Sequence, residues 1–384
     1  MFKSPVTATE ARFEAQRIAF APVVFQVVQV MRRTGLLRAL VAARDWVNQD
    51  ALEYSTTLSS YATTVLLETS LSAGIVERDQ EGIDPRPVNV RWRVTAVGRF
   101  IERDQLVRIN MDFVNDVCYR SLTHLEEALA AGMPAGLREL GPWRTLYEGM
   151  AGMPEPARTS WFNYDHFYSD SAFPAALDVL ATRNFTHVAD VGANTGKFAI
   201  AFLERFPDSR ITLCDLPQQL ALARSNLDQK GLLERSAFHA CDLLDEACRL
   251  PEGVAAPDAF WMSQFVCCFS EAQILSILRR AASAVRDGGS IFVLDTFWDD
   301  QRHDVAAYCL INTSPYFSTV ANGNSRMYRL DVFRLLAEQA ELQTRQTWHD
   351  LGWCHTLVEL RPKWQSEDEH FAFRSKRHRV AGKR

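Results

Sequence analysis

The chain opens on a long helical pattern over residues 12–45, and within it the run IAFAPVVFQVVQVM, from Ile18 to Met31, is apolar at nearly every position. That run is interrupted by Pro22, Gln26 and Gln29 and falls short of the roughly 20 residues a membrane span needs, so it predicts a buried helix. The next stretch, LSSYATTVLLETSLSAGIVERD from Leu58 to Asp79, places Tyr61, Val65, Leu66 and Leu71 at helical spacing and predicts one buried face. Gly74 ends that helix and IVERD begins a strand. A polar Gly/Pro loop follows, and VRWRVTAVGRFI, Val90 to Ile101, alternates like a second strand. Helix, helix, strand, loop, strand is the order of a winged helix. Residues 108–180 return to helical spacing, broken at GMPAG and GMPEP.

From His187 the rhythm changes. HVADV, ITLCDL, DAFWMSQFV and SIFVLDTF read as short buried strands, and KFAIAFLERF, QQLALARSNL and EAQILSILRRAASAV read as the helices between them. Such alternation predicts a parallel sheet covered on both faces. The change of rhythm sets an expected domain boundary near residue 172: a helical, winged-helix-like domain over 1–172 and an α/β domain over 173–362. Residues 363–384 form a basic segment, ending RSKRHRVAGKR, that is expected to be a flexible tail.

Composition narrows the field. A chain of 384 residues favours two domains, and 47% hydrophobic with 23% charged residues is ordinary for a globular protein. The net charge of −5 provides no global field to attract nucleic acid. No small-residue cleavage site follows an apolar core near the N-terminus, so no signal peptide is expected. None of the eight cysteines forms a C-x-x-C pair and most lie in apolar runs, which points to reduced, buried thiols in a cytoplasmic protein, with no metal site.

The most informative stretch is VADVGANTGKF, Val188 to Phe198, a strand, a glycine loop and a helix. Ligands of open parallel sheets bind beside such loops, at the carboxyl ends of the strands. Gly192 and Gly196 would let backbone approach a ligand. The order Asp190-x-Gly192-x-Asn194-x-Gly196 departs from the dinucleotide G-x-G-x-x-G. A phosphate-binding loop wants four residues between its glycines and Ser/Thr after the Lys, whereas three intervene here and Phe198 follows Lys197. The third option is S-adenosylmethionine, whose ammonium a strand-end carboxylate can hold. Asp215, ending the next strand, can accept ribose hydroxyls, and Asp242 falls where the following strand ends and can accept an adenine amino group. Any one of these acids is equally well a solvated loop residue; three at successive strand ends are not.

With DVGANTG, TLCDLPQQ and DGGSIFVLDTF in place, residues 15–360 resemble the small-molecule O-methyltransferases of the plant caffeate and bacterial polyketide type. The resemblance implies a helical dimerisation domain joined to a Rossmann-like S-adenosylmethionine domain, and a homodimer whose N-terminal helices interlock over each active site. It implies a cofactor site of Asp190, Gly192, Asn194, Gly196, Asp215, Leu216, Asp242, Leu243, Ser263 and Gln264, with S-adenosylhomocysteine as product. In that family the strand after the adenine acid ends S-x-V-L-H-D-W, and its histidine is the general base. Here Ser263-Gln264-Phe265-Val266-Cys267-Cys268-Phe269 puts Cys267 in the histidine's seat. A thiol near pKa ~8.5, raised further by burial, is a poor substitute, and the two cysteines are read as small apolar fillers. Ser270 and Gln273 keep a capping box for the next helix.

The base is then sought elsewhere. In WFNYDHFYSD the family's pocket methionine, four residues after Phe162, is His166, with Asp165 and Asp170 nearby. His166 is the candidate base, against the alternative of a histidine satisfied by packing. Phe162, Tyr164, Tyr168, Asn312, Tyr316 and Asn322 are candidate substrate contacts. INMDFVNDVCYRSLTHLEEAL and YFSTVANGNSRMY resemble a bacterial subgroup tied to aryl polyene pigments, which implies a hydroxyphenyl substrate, an aromatic hydroxy acid free or carrier-bound, methylated on oxygen or carbon. Two other readings stay open: a SAM-fold protein that has lost methyl transfer, motivated by the missing histidine, and a winged-helix DNA-binding regulator. The helix SSYATTVLLETS carries no Lys or Arg, which speaks against the latter. Neither a nucleic-acid nor a membrane partner is expected.

Overall fold

The computed structural model describes residues 7–79 and 90–364; the basic segment expected as a tail lies, from residue 365 on, outside the described residues, as do residues 80–89, where a polar loop was expected. The chain divides into two compact units, Met1–Asp112 and Phe113–Arg384. A single helix runs unbroken from Ala157 to Ala181 across the expected boundary at residue 172.

In the first unit helices α1 (Ala8–Arg33), α2 (Leu36–Ala43), α3 (Gln49–Thr56) and α4 (Ser60–Ser72) surround strands β1 (Val47–Asn48), β2 (Val76–Arg78) and β3 (Arg91–Val94), which pair antiparallel in the order β1-β3-β2. Thr7 and Glu10 close a reciprocal capping box at the start of α1. Met31, Leu36, Leu37, Leu40, Leu52, Leu67 and Trp92 are sealed in one core, where the Trp92 indole N–H donates to Gln49 Oε1 at 3.2 Å.

Three expectations are corrected here. The long apolar run of α1 is buried only near its end, at Val28 and Met31, while Ile18, Phe20 and Val23 stay exposed. The buried stripe of α4 is Thr63, Leu66, Leu67 and Ser70, leaving Tyr61 at 80% exposure and Val65 and Leu71 partly outside. The Ser70 hydroxyl donating to Met31 Sδ at 2.8 Å fixes that rotation. Finally, the alternating stretch after Val90 is a strand only to Val94. Thr95 then caps helix α5 (Ala96–Arg103), accepting from Gly98 N–H. Helix α6 (Gln105–Phe113) follows.

In the second unit the short helices α7 (Leu125–Ala131) and α8 (Leu146–Gly149) precede α9 (Ala157–Ala181). Strands β4 (His187–Val191), β5 (Arg210–Asp215), β6 (Ser236–Ala240), β7 (Ala259–Ser263), β8 (Ser290–Asp295), β9 (Leu342–Leu351) and β10 (His355–Pro362) form one sheet in the order β6-β5-β4-β7-β8-β10-β9. The first five are parallel; β10 runs antiparallel to both its neighbours. Helices α10 (Lys197–Arg205), α11 (Pro217–Gln229) and α12 (Glu271–Ala284) follow β4, β5 and β7, and α13 (Asp304–Tyr316) and α14 (Leu330–Gln339) both lie between β8 and β9. Side chains alternate along the central strands: Trp261 and Phe292 pack with α9, α10 and α11, while Phe260, Met262, Ile291 and Val293 pack with α12 and α14.

Candidate active site

The strand order reverses at β4, which has β5 on one side and β7 on the other. At such a point the connections leave in opposite directions and a crevice opens beyond the carboxyl ends. There the structure has a cavity of about 370 Å³, walled by the ends of β4, β5, β6 and β7 and by one face of α9.

Asp190, next to last in β4, is buried, only 2% exposed. Gly192 follows at φ +77°, and a Cβ built there would sit 2.4 Å from the Phe265 ring. Glycine is therefore required twice, by the left-handed backbone and by that ring. The Asn194 N–H donates to Asp215 Oδ2 at 2.8 Å and the Leu216 N–H to Asp215 Oδ1 at 2.7 Å, so the glycine loop and the end of β5 are locked together. Gly196, also at φ +77°, does not line the cavity. A Cβ there would come within 3.2 Å of Ala223, so it sets the packing of α10 against α11.

The electrostatics of this wall ask for a donor-rich ligand. Burial, and then the Asp215 charge, push the Asp190 carboxyl well above the usual range. Burial raises Asp215 too, against the pull of the Asn194 and Leu216 amides. Among the described residues, Asp190 Oδ2, Asn194 Oδ1 and Gln264 Oε1 are buried without a hydrogen-bond partner. Buried acceptors without donors are costly. An ammonium and hydroxyls entering the cavity would satisfy them, and S-adenosylmethionine carries both. Asp190, Asn194, Asp215, Leu216, Asp242, Leu243, Ser263, Gln264 and the backbone of Gly192 all reach the cavity wall, so of the ten expected cofactor residues only Gly196 stands behind it.

The loop after β6 holds Asp242, whose Oδ1 accepts the Leu244 N–H at 3.0 Å. Two features that the sequence did not reveal shape it. The Arg280 guanidinium on α12 donates to the carbonyls of Leu243, Asp245 and Cys248. Cys241 and Cys248 are joined by a disulfide, because the loop folds back and brings their Cα atoms to 5.9 Å. The expectation of eight reduced thiols is corrected for this pair.

Strand β7 stops at Ser263, short of the predicted Val266, because Gln264 turns at φ +46°. The turn that follows is held by a buried carboxylate that also went unnoticed in the sequence. Asp295, at the end of β8, accepts from the amides of Phe265 at 3.2 Å and Val266 at 2.8 Å, and from its neighbour Thr296. Its carboxyl is pushed up to about 6, by burial against those amides. Cys267 is buried among Phe113, Trp161, Tyr316 and Met327, and it is Cys268 that lines the cavity. The thiol of Cys267 is held well above its usual value by its neighbour Cys268, by burial and by nearby carboxylates. Ser270 and Gln273 form the expected capping box.

Asp165 and His166 face the cavity from α9. Burial first, and Lys197 second, pull the His166 imidazole down to about 4. Its Nε2 is buried without a partner among the described residues and lies 4.0 Å from Asp165 Oδ2. Lys197 Nζ binds Asp170 at 2.5 Å. The candidate substrate residues are not on the cavity wall. Tyr164 stacks on Phe113 at 4.0 Å and bonds Thr313; Tyr316 accepts the Trp161 indole N–H; Phe162 and Tyr168 pack around them. Asn312 donates to Tyr308 O, and Asn322 shapes its own turn while donating to Cys268 O.

Residues 12–82 match the model of the Dimerisation2-like domain, and residues 169–340 that of the O-methyltransferase domain. The chain belongs to the small-molecule O-methyltransferases. It is a SAM-dependent methyltransferase, and its dimerisation domain supports a homodimer. Among relatives, acetylserotonin O-methyltransferase of Bos taurus is 24% identical over 72% of this chain and 77% of its own length. Bacteriochlorophyllide d C-20 methyltransferase of Chlorobaculum tepidum is 26% identical over 52% of this chain and 60% of its own. The crystal structure of the S-adenosylmethionine-dependent methyltransferase SibL shares the fold, with a TM-score of 0.66 and 24% identity over 90% of this chain and 98% of that one. So does NcsB1 of neocarzinostatin biosynthesis, solved with S-adenosylmethionine and 2-hydroxy-5-methyl naphthoic acid, with a TM-score of 0.59 and 20% identity over 88% and 95% of the two chains. Among the described residues no helix is long and apolar enough to cross a membrane, and no group of three metal-ligating side chains occurs.

Proposed function

We propose that this methyltransferase transfers the cofactor's methyl group to a small hydroxy-aromatic acceptor, an aromatic hydroxy acid presented free or on a carrier, in the biosynthesis of an aryl polyene or similar secondary metabolite. The observation that carries this reading is the cavity's two-sided wall. The strand ends offer buried acceptors, whereas Tyr147, Met150, Trp161, Phe265 and Phe269 add an apolar, aromatic part beside the polar α9 face of Asp165 and His166. Such a wall suits a flat ring, which gains from stacked and edge contacts. When bound, S-adenosylmethionine supplies an electrophilic methyl group; Asp190, Asn194, Asp215, Asp242 and Gln264 would hold it.

The role of this chain's own residues is to orient the acceptor and to receive its proton. A buried, protonated Cys267 does not serve that role, which leaves the α9 face with His166 and Asp165. Methylation of oxygen is favoured over carbon by the family, although a relative named for C-20 methylation belongs to the same set. The exposed apolar residues Ile18, Phe20, Val23 and Tyr61 of a winged-helix-like unit fit a partner copy better than DNA. A cytoplasmic location remains part of this reading.

The test incubates the protein with methyl-labelled S-adenosylmethionine and a panel of hydroxybenzoic and hydroxycinnamic acids, free and carrier-bound, with products located by mass spectrometry and NMR. Transfer to a ring hydroxyl is expected. Tight S-adenosylhomocysteine binding with no transfer to any acceptor would instead favour a protein that has lost the reaction.

A further inference from the structure

We propose that Asp165 is the proton acceptor of the transfer, taking the part of the family's histidine whose seat Cys267 now fills. The inference rests on the methyl-transfer reading above and deepens it. Three observations carry it.

The first is position. Asp165 stands on the cavity wall with 26% of its side-chain surface accessible, and its charge is felt by both Cys267 and Tyr316. Cys267 itself stands behind the wall, packed in the cluster of Phe113, Trp161 and Tyr316, so Asp165 reaches the cavity where that thiol does not.

The second is orientation. Asp165 Oδ2 accepts from Asn194 Nδ2 at 3.3 Å, and the backbone N–H of the same Asn194 donates to Asp215. One residue thus ties the carboxylate to the strand ends that hold the cofactor. A base must be held in place relative to the transferred group, since a misplacement of about 1 Å can cost roughly 100-fold in rate.

The third is proton affinity. Burial, and then the Asp170 charge, push the Asp165 carboxyl up to about 7, with Lys197 pulling the other way. His166 beside it, at about 4, holds a proton far more weakly. A base works best when its affinity matches the ambient pH, and of the two Asp165 does. The groups facing it are His166 and Asp170 on α9, Lys197 on α10, Asn194 of the glycine loop, Cys267 after β7 and Tyr316 on α13. In the transfer, the acceptor hydroxyl oxygen bonds to the methyl carbon as the carbon–sulfur bond breaks. That bond's electron pair stays on sulfur, and the hydroxyl proton passes to the Asp165 carboxylate and then to water.

The experiment uses the full chain loaded with S-adenosylhomocysteine and labelled with carbon-13 at its aspartate carboxyls. Asp165→Asn identifies the Asp165 resonance by its disappearance. In the wild type that resonance should titrate near neutrality and shift when 4-nitrophenol is added as an acceptor probe. A resonance that titrates below pH 5, or that ignores the probe, overturns the proposal whether or not any acceptor is methylated. With a turned-over phenol, Asp165→Asn should lower kcat about 100-fold or more. It should erase the acid limb of the kcat/KM profile and change S-adenosylhomocysteine affinity less than threefold. His166→Gln should keep that limb. A retained limb in Asp165→Asn, or an equal loss of kcat and cofactor affinity, would also overturn it. If no phenol is methylated but the probe still shifts the Asp165 resonance, the acceptor class is wrong and Asp165 stands.

Discussion

Replacing Gly192 by alanine tests the cofactor loop at its tightest point. Two costs can be read from the structure. At φ +77° an L-residue is strained by roughly 1–2 kcal/mol. The new methyl would sit 2.4 Å from Phe265 Cδ2 and 2.8 Å from its Cε2, against the 3.5–4.0 Å at which carbons rest. The ring must shift by about an ångström, yet it is nearly buried and packs on Phe269 at 4.6 Å between centroids. Overpacking of this kind costs about 1–3 kcal/mol, so the sum is ~2–5 kcal/mol. Urea denaturation should show that loss. Because Phe265 also walls the cavity, S-adenosylhomocysteine affinity by calorimetry should fall tenfold or more. A double-mutant cycle separates the two costs. With Phe265→Ala in the background, the steric part disappears and only the backbone strain remains. The double variant should be more stable than additivity predicts by about 1–3 kcal/mol. Additive effects within ~0.5 kcal/mol would refute the contact between Gly192 and Phe265 as the reason glycine stands there.

Asp190→Asn should move stability and affinity in opposite directions. It relieves a buried charge pressed against Asp215 and raises the urea midpoint of the free protein, yet it weakens S-adenosylhomocysteine binding about 10- to 150-fold; a variant that binds as tightly as the wild type ends the ammonium role. Arg280→Ala removes three bonds to carbonyls of the loop after β6. It should destabilise by about 1–3 kcal/mol and weaken cofactor binding, and reducing the Cys241–Cys248 disulfide should weaken binding further in that variant than in the wild type, all read by calorimetry with and without reductant. Asp295 supplies a pH signature. Its folded value of about 6 lies above the ~3.9 of an unfolded aspartate, so the protonated form is the one the fold favours. Its contribution is full below pH ~4 and is lost as pH rises through about 6. Wild-type stability should therefore fall relative to Asp295→Asn over that window, and parallel pH–stability curves for the two proteins would contradict the assignment.

What the sequence displayed and what it concealed divide along a physical line. The strands β4 and β5 were legible because buried apolar runs mark them, and the carboxylates at and just past the ends of β4, β5 and β6 stand out against those runs. Asp190, Asp215 and Asp242 therefore came to one cavity as expected. Faces of helices were less legible. On α4, apolar residues occur on both sides, so periodicity could not tell the stripe packed on Met31 from the one holding Tyr61 and Val65. The stretch after Val90 misled for a local reason: Thr95 can end a strand as easily as continue it, and only the hydrogen bond from Gly98 turns it into a cap.

Residues that work through backbone atoms left no pattern at all. Asp295 holds the turn after β7 from a strand about thirty positions away, and Arg280 reaches carbonyls from the middle of an amphipathic helix where it reads as one more surface cation. The same blindness bears on the base. A missing histidine is visible at Cys267, but a replacement that comes from another element is set by three-dimensional neighbours. His166 attracted attention through its residue type, since imidazole is the usual base near neutral pH. Burial reverses that ranking, because it penalises charge in both groups with opposite effect on proton affinity: it lowers the histidine and raises the aspartate beside it. Burial alone exchanges the ordinary order of base strengths here, with Lys197 opposing the rise at Asp165, and the residue that looks acidic in the sequence becomes the one we propose to take the proton.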